Sequence, residues 1–202
     1  VNKVEALVRW QHPERGMVRP DKFISIAENS GQINALTNWV LEAAVKQHLA
    51  WKEQGLEIGI AVNISADNLK NESFYESVLF VMKEYGVDIS AISLEVTESA
   101  VVEDPESAIE ILSQLKNHGF HLSIDDYGTG YSSLAQLKQL SVHELKIDMS
   151  FIKKLPHDED DKIIVQSTIE LAHNMGLTVV AEGVETQEGL DWLAENGCDL
   201  LQ

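Results

Sequence analysis

The chain has 202 residues, 44% of them hydrophobic and 6% aromatic, which is enough apolar material for one large globular domain. Its 15 basic residues stand against 33 acidic ones, a formal charge of 15 − 33 = −18. A domain this acidic excludes duplex nucleic acid as a partner, since that binding is dominated by neutralisation of phosphates.

In chain order, the first predicted strand covers residues 4–10. Strand alternation puts Glu5, Leu7 and Arg9 on one face, turned toward the interior of the fold. Glu5 comes early in that strand, and a strand of opposite direction to the others would account for it. A helical pattern then fills 33–54, with Gly55 where a helix C-terminus favours a left-handed residue. Trp39 and Trp51 lie on this helix as packing residues. The next strand, 58–65, ends its "GIAVN" run on Asn63, and strand 92–97 holds Glu95 in "SLEVTE". Pro105 opens a helix that stops at Gly119. Strand 121–126 closes on Asp125 and Asp126, and strand 144–148 on Lys146 and Asp148. "HDEDD" at 157–161 reads as the acidic start of a helix, favoured by its dipole, rather than a calcium loop. Strand 178–181 runs into Glu182, a helix over 190–196 stops at Gly197, and a last strand covers 199–202. The only cysteine, Cys198, excludes an intramolecular disulfide and fits a reducing, cytoplasmic compartment. No apolar run approaches the roughly 18–20 residues that cross a bilayer. Direct membrane insertion is therefore not expected, although the chain suits the cytoplasmic part of a membrane-tethered protein.

Alternating strands and helices predict a parallel sheet with helical crossovers. Seven strands are one short of a closed (β/α)8 barrel, and the chain both starts and stops on a strand, as a barrel with trimmed ends would. Asn63, Glu95, Asp125, Lys146 and Glu182 close successive strands at gaps of 32, 30, 21 and 36 residues, each suiting one strand–helix unit. An acid at one strand end is often a helix cap or turn residue. Five polar strand ends at one barrel mouth, where (β/α)8 enzymes place their active sites, point instead to chemistry. Ionised groups gathered there need pairing or coordination, and an oxygen-rich set of Asp, Glu and Asn suits hard cations such as Mg²⁺ or Mn²⁺.

Six ordered blocks carry a family resemblance: "EAL" at 5–7, "VNIS" at 62–65, "EVTES" at 95–99, "DDYGTGYSS" at 125–133, "LKID" at 145–148 and "AEGVET" at 181–186. On these the chain resembles the EAL domain family, over essentially its whole length. The resemblance implies a modified (β/α)8 TIM-type barrel with one antiparallel strand, and residues 1–202 forming one EAL domain that lacks the family's first strand and C-terminal end. It implies that Glu5, Asn63, Glu95 and Asp125 ligate one divalent cation, and that Asp125 bridges to a second held also by Asp126 and Glu182. Lys146 resembles the lysine that contacts the attacking water, so Lys146, Glu182 and Glu5 are the expected catalytic residues. Arg9 resembles the arginine on a substrate phosphate. Leu7, Glu185 and Gln202 fall on positions associated with substrate. Glu98 resembles the glutamate that anchors the 125–133 loop and couples it to a dimer interface. Tyr127 and Ile64 are mild departures from the usual Phe and Leu.

The implied activity is two-metal hydrolysis of cyclic di-GMP to linear pGpG, with Mg²⁺ or Mn²⁺ as cofactors. The implied partners are a second copy of the chain and covalently linked sensor or GGDEF domains. The alternatives are a catalytically silent receptor for cyclic di-GMP, a protein-interaction module, and a metal-dependent esterase on another substrate. Filled ligand positions weigh against the first two and the ordered blocks against the third. "GTG" at 128–130 is not a dinucleotide fingerprint, because the third glycine of that motif is absent. The seven histidines show no metal-ligand spacing and read as surface or packing residues.

Overall fold

The computed structural model describes residues 3–130 and 134–202. Tyr131, Ser132 and Ser133 of the expected loop lie outside the described residues. The strands are β1 (Lys3–Glu5), β2 (Trp10–His12), β3 (Gly16–Val18), β4 (Gly59–Ile64), β5 (Ile92–Thr97), β6 (His121–Tyr127), β7 (Glu144–Ile147), β8 (Thr178–Ala181) and β9 (Leu200–Leu201). Seven of them form one sheet in the order β1-β4-β5-β6-β7-β8-β9, every neighbour parallel. Helices fill the connections, among them Ile33–Glu53, Phe74–Tyr85, Pro105–His118, Glu159–Asn174 and Gln187–Glu195. The two edges of the sheet come back toward each other at its C-terminal end, where Gln202 Nε2 lies 3.5 Å from Glu5 Oε2.

Alternation along the strands divides the sheet into two faces. Ile60, Val62, Leu94, Val96, Leu122, Ile124, Leu145, Ile147 and Val179 are buried against the helices, which contribute Leu112, Leu115, Val165 and Ile169. Residues one position out of phase face the lumen, a cavity of about 1200 Å³ bounded by Lys3, Glu5, Ser93, Glu95, Glu144 and Gln202 among others. The outer face is thus the apolar core, and the inner face carries the polar strand residues, interspersed with Ala61 and Val180. Helix starts follow their capping signals. The Asp104 side chain accepts from Ser107 N ahead of Pro105, and Asp158 accepts from the backbone N–H groups of Asp160 and Asp161. The acidic run at 157–161 is therefore a capped helix start, as its sequence predicts.

Three details differ from expectation. The first strand stops at Glu5 and is parallel to β4, so it does not run in the opposite direction. Glu5 is consequently its last residue and stands at the same mouth as the other strand ends. Among the described residues the antiparallel pairing is confined to β2 and β3, a hairpin apart from the main sheet. After Glu5 the chain keeps one sheet bond, Ala6 N to Ala61 O at 2.8 Å, and then departs into this hairpin. Its turn is held by His12 Nδ1, which accepts from Glu14 N and Arg15 N. Leu7 and Arg9 therefore do not share a strand face with Glu5. Trp51 packs against the core, but Trp39 is 60% exposed on the outer side of its helix and is not a packing residue.

Replacing Leu94, 1% exposed at the centre of the sheet, by Ala should destabilise the fold by about 3 kcal/mol in urea unfolding. The same truncation at Leu7, 56% exposed, should stay within about 0.5 kcal/mol.

Candidate active site

Parallel strands of matched register bring their C-terminal ends to one level, and the acidic residues meet there. Asn63 on β4 stands beside Glu95 on β5, and Thr97 pairs with Asp125 on β6, so the lumen-facing positions of neighbouring strands step around the mouth. Asn63 Nδ2 donates to Glu5 Oε1 at 2.6 Å. At the centre is Lys146 on β7, 1% exposed. Its Nζ lies 3.0 Å from Glu95 Oε2, 3.2 Å from Asp125 Oδ1 and 2.6 Å from Glu182 Oε1. Asp125, Asp126 and Glu182 each offer a carboxylate oxygen, all within 4.8 Å of one another. Asp126 holds this place with a left-handed backbone (φ 55°), which Asp tolerates better than most side chains, and its N–H donates to Asp125 Oδ1 at 3.0 Å.

So many carboxylates around one ammonium leave an excess of negative charge in a poorly solvated place. Burial pushes the Glu95 carboxyl up to about 7 in spite of Lys146. Burial, reinforced by Asp125 and Asp148, pushes Asp126 up to about 6. Glu182 is raised as well, again chiefly by burial. Burial works to lower the Lys146 ammonium, but Glu95, Asp125 and Glu182 outweigh it and hold Lys146 above the ordinary lysine value. Raised carboxyl groups mark places where a cation would compete with protons. The donors are all oxygens, the set that hard divalent ions favour. The cluster therefore fits a divalent metal, with Asp125, Asp126 and Glu182 as its nearest-grouped ligands.

The remaining expected residues surround this cluster at different distances. Gln202 reaches Glu5 from the opposite edge of the sheet. Leu7 and Arg9 line a neighbouring cavity of about 400 Å³, with Asn63, Pro20, Ile24 and Ala100 in its walls. Arg9 Nη1 donates to Val8 O at 2.9 Å. Glu185 is exposed on the segment following β8. Glu98, buried at the start of helix Glu98–Glu103, accepts from Gly128 N at 2.9 Å and Gly130 N at 3.0 Å, which fixes the loop after Asp126. Sequence reasoning left Asp148 without a role at the site, yet its negative charge helps raise the Asp126 carboxyl, and it caps the helix that follows it by accepting from Ser150 N at 2.9 Å. It also missed a lower polar layer: Ser123 Oγ and Lys3 Nζ both donate to Glu144 Oε1 at 2.8 Å, inside the lumen. Counting back by two from Asp125 to Ser123 and from Lys146 to Glu144 is the signal that would have found it.

A family model described as EAL domain matches residues 1–202. The chain is 42% identical over 200 residues to the Pseudomonas aeruginosa protein named bifunctional diguanylate cyclase/cyclic di-GMP phosphodiesterase MucR, covering 98% of this chain and 29% of that protein. It is 37% identical to the cyclic di-GMP phosphodiesterase PdeR of Escherichia coli, over 100% of this chain and 31% of PdeR. The chain thus spans less than a third of these curated relatives. Among solved structures, the PaMucR phosphodiesterase in complex with c-di-GMP superimposes with a TM-score of 0.92 at 42% identity, covering 99% of this chain and 81% of that one. No helix among the described residues is long and apolar enough to cross a membrane.

The raised carboxyl groups predict an inverted pH response. Because Glu95 and Asp126 titrate above their ordinary values, these two groups bind more protons in the metal-free fold than in the unfolded chain between about pH 4 and 7. His121 and His143, lowered by burial, act in the opposite sense in part of that window. The contribution of the acidic site to stability should therefore fall as pH rises. In thermal melts with EDTA, that loss should appear as a wild-type Tm that drops relative to Glu95→Gln by several degrees between pH 5.5 and pH 8. Millimolar Mn²⁺ should recover most of the loss at pH 8 and little at pH 5.5, where protons hold the site.

Proposed function

The chain belongs to the EAL domain family, and from that premise we propose that it hydrolyses cyclic di-GMP to linear pGpG. The observation that carries this reading is the convergence of Asp125, Asp126 and Glu182 on Lys146, at a mouth where Glu5, Asn63 and Glu95 also end. Lost ligand positions would favour a silent receptor, and here each expected position carries an oxygen donor.

Glu5, Asn63, Glu95 and Asp125 would hold one divalent cation, Mg²⁺ or Mn²⁺, and Asp125, Asp126 and Glu182 a second. When bound, such a pair lowers the pKa of water and neutralises charge on a phosphoryl group in flight. Asp125, within 3.2 Å of Lys146 Nζ and grouped with Asp126 and Glu182, would contribute to both sets. With Glu95, Asp125 and Glu182 turned to the cations, the Lys146 ammonium would be free to donate to the attacking water and orient it in line with the scissile bond. Water oxygen forms the new bond to phosphorus, the bond from phosphorus to the 3′ oxygen breaks, and the leaving oxygen takes a proton. The product is an open dinucleotide with a 5′ phosphate. Arg9, at the rim, meets a non-bridging phosphate oxygen, and Leu7 and the apolar cavity beside it receive a base. Gln202 steadies Glu5, and Glu185 faces the substrate from the segment after β8. A protein of charge −18 would hold an anionic substrate in this scheme through the bound cations together with Arg9 and Lys146. The reading extends to a homodimer linked to the site through Glu98 and its loop. It also extends to a cytoplasmic, longer polypeptide carrying sensor or GGDEF domains, in keeping with the greater length of MucR and PdeR.

The test is turnover of cyclic di-GMP to pGpG by purified protein with Mg²⁺ or Mn²⁺. Glu5→Ala and Lys146→Ala should each lower kcat by about 10²–10³-fold. Arg9→Ala should act mainly on KM, raising it about tenfold. Binding of cyclic di-GMP without turnover, unaffected by EDTA, would replace the enzyme by a receptor. Neither binding nor turnover would refute both.

A further inference from the structure

The acidic residues grouped as the second cation site come from two strand ends, Asp125 and Asp126 from the last residues of β6 and Glu182 from the residue after β8, and a loop that carries Gly128 or Gly183 follows each. One short element touches both. The single-turn helix Met149–Ile152 follows β7 directly and lies between those loops. A Cβ on Gly128 would stand 2.9 Å from Phe151 Cε2, and one on Gly183 would stand 2.7 Å from Met149 Cβ. Each loop therefore leans on this helix through a glycine, at positive φ, more closely than any other residue could. The helix itself is fixed from three sides. Ile152 is buried in the core, Phe151 N donates to Asp148 O at 3.1 Å, and the Asp148 side chain caps the first turn by accepting from Ser150 N. Backbone bonds continue the connection, from Asp148 N to Tyr127 O at 3.4 Å and from Glu182 N to Ile147 O at 3.2 Å.

The geometry points to Met149 and Phe151 as positioning residues: a wedge that sets the separation of Asp125 and Asp126 from Glu182, and with it the size of cation the pair of loops accepts. The inference rests on the two-cation reading above. Its physical basis is the difference between ions. Mg²⁺ demands near-octahedral geometry at short distances, whereas Ca²⁺ tolerates variable coordination at longer ones. Loosening a rigid spacer should thus penalise Mg²⁺ more than Ca²⁺. A change that merely lowered stability would weaken both alike.

The experiment is titration of the metal-free protein with Mg²⁺ and with Ca²⁺ by calorimetry, each variant being checked for folding by thermal melting. Phe151→Ala should weaken Mg²⁺ binding by about tenfold and Ca²⁺ binding by less than about threefold. Phe151→Leu, which keeps bulk against Gly128, should remain near wild type. Met149→Gly, which removes the Cβ facing Gly183 at a half-exposed position, should shift selectivity in the same direction as Phe151→Ala and is decisive if that variant does not fold. Phe80→Ala, exposed on the distant helix Phe74–Tyr85, should change neither ion. Equal weakening of both ions, or unchanged binding of both, overturns the wedge while leaving the metal site intact. Absence of carboxylate-dependent binding in the wild type, judged by insensitivity to both Glu5→Ala and Asp126→Ala, overturns the two-cation reading and the wedge with it.

Discussion

The ammonium of Lys146 is the interaction on which the mouth of this fold depends. It is almost wholly enclosed, and it touches carboxylates from three other strands or strand ends. A buried ion pair is a weak source of stability, since removal of both charges from water offsets most of their attraction. Removal of one partner is a different matter, because the others are then left buried and uncompensated. The lysine thus allows acidic residues from β5, β6 and β8 to be assembled before any cation arrives. The arrangement also explains why some of those carboxyl groups retain protons near neutrality: one positive charge cannot balance the whole set.

The rest of the structure serves to bring those side chains together. A parallel sheet gathers its C-terminal ends at one level, and curling the sheet turns that level into a ring. Alternation then does two jobs with the same strands, as Leu94 and Val96 seal against helices while Glu95 between them faces the lumen. Rigidity of this kind places a ligand set more accurately than loops alone can. Where loops do carry ligands, they are tied down: Glu98 grips the segment after Asp126, and the helix after β7 supports the segments bearing Asp126 and Glu182.

Much of this was legible in the sequence, and for identifiable reasons. Strands β4 to β8 were visible because their apolar runs are short and end on a polar residue, and Asn63, Glu95, Asp125, Lys146 and Glu182 followed from those ends. Glu5 ends at the same mouth as those residues, but on a short strand parallel to β4 rather than early in a longer one. Its neighbours Ala6, Leu7 and Val8 look like a continuing strand, and only the tertiary pairing to β4 reveals that the chain turns away after Glu5. Trp39 illustrates the converse error, a large aromatic residue on an amphipathic helix that faces water. Asp148 and the Ser123–Glu144–Lys3 layer escaped notice because the two-residue spacing that links them to Asp125 and Lys146 does not by itself say that the face they share is enclosed. That property emerges only when the sheet curls and closes its inner side from helices.

The shared lysine also constrains how such a sequence can drift. Substitutions at Glu95, Asp125, Lys146 and Glu182 are not independent, because each changes the charge balance felt by the other three. A lineage that lost Lys146 first would carry a surplus of buried negative charge, and one that lost an acid first would relieve it. Decay of such a site should therefore begin at the carboxylates and reach the lysine last, leaving an order of losses that can be read in descendants that no longer need the chemistry.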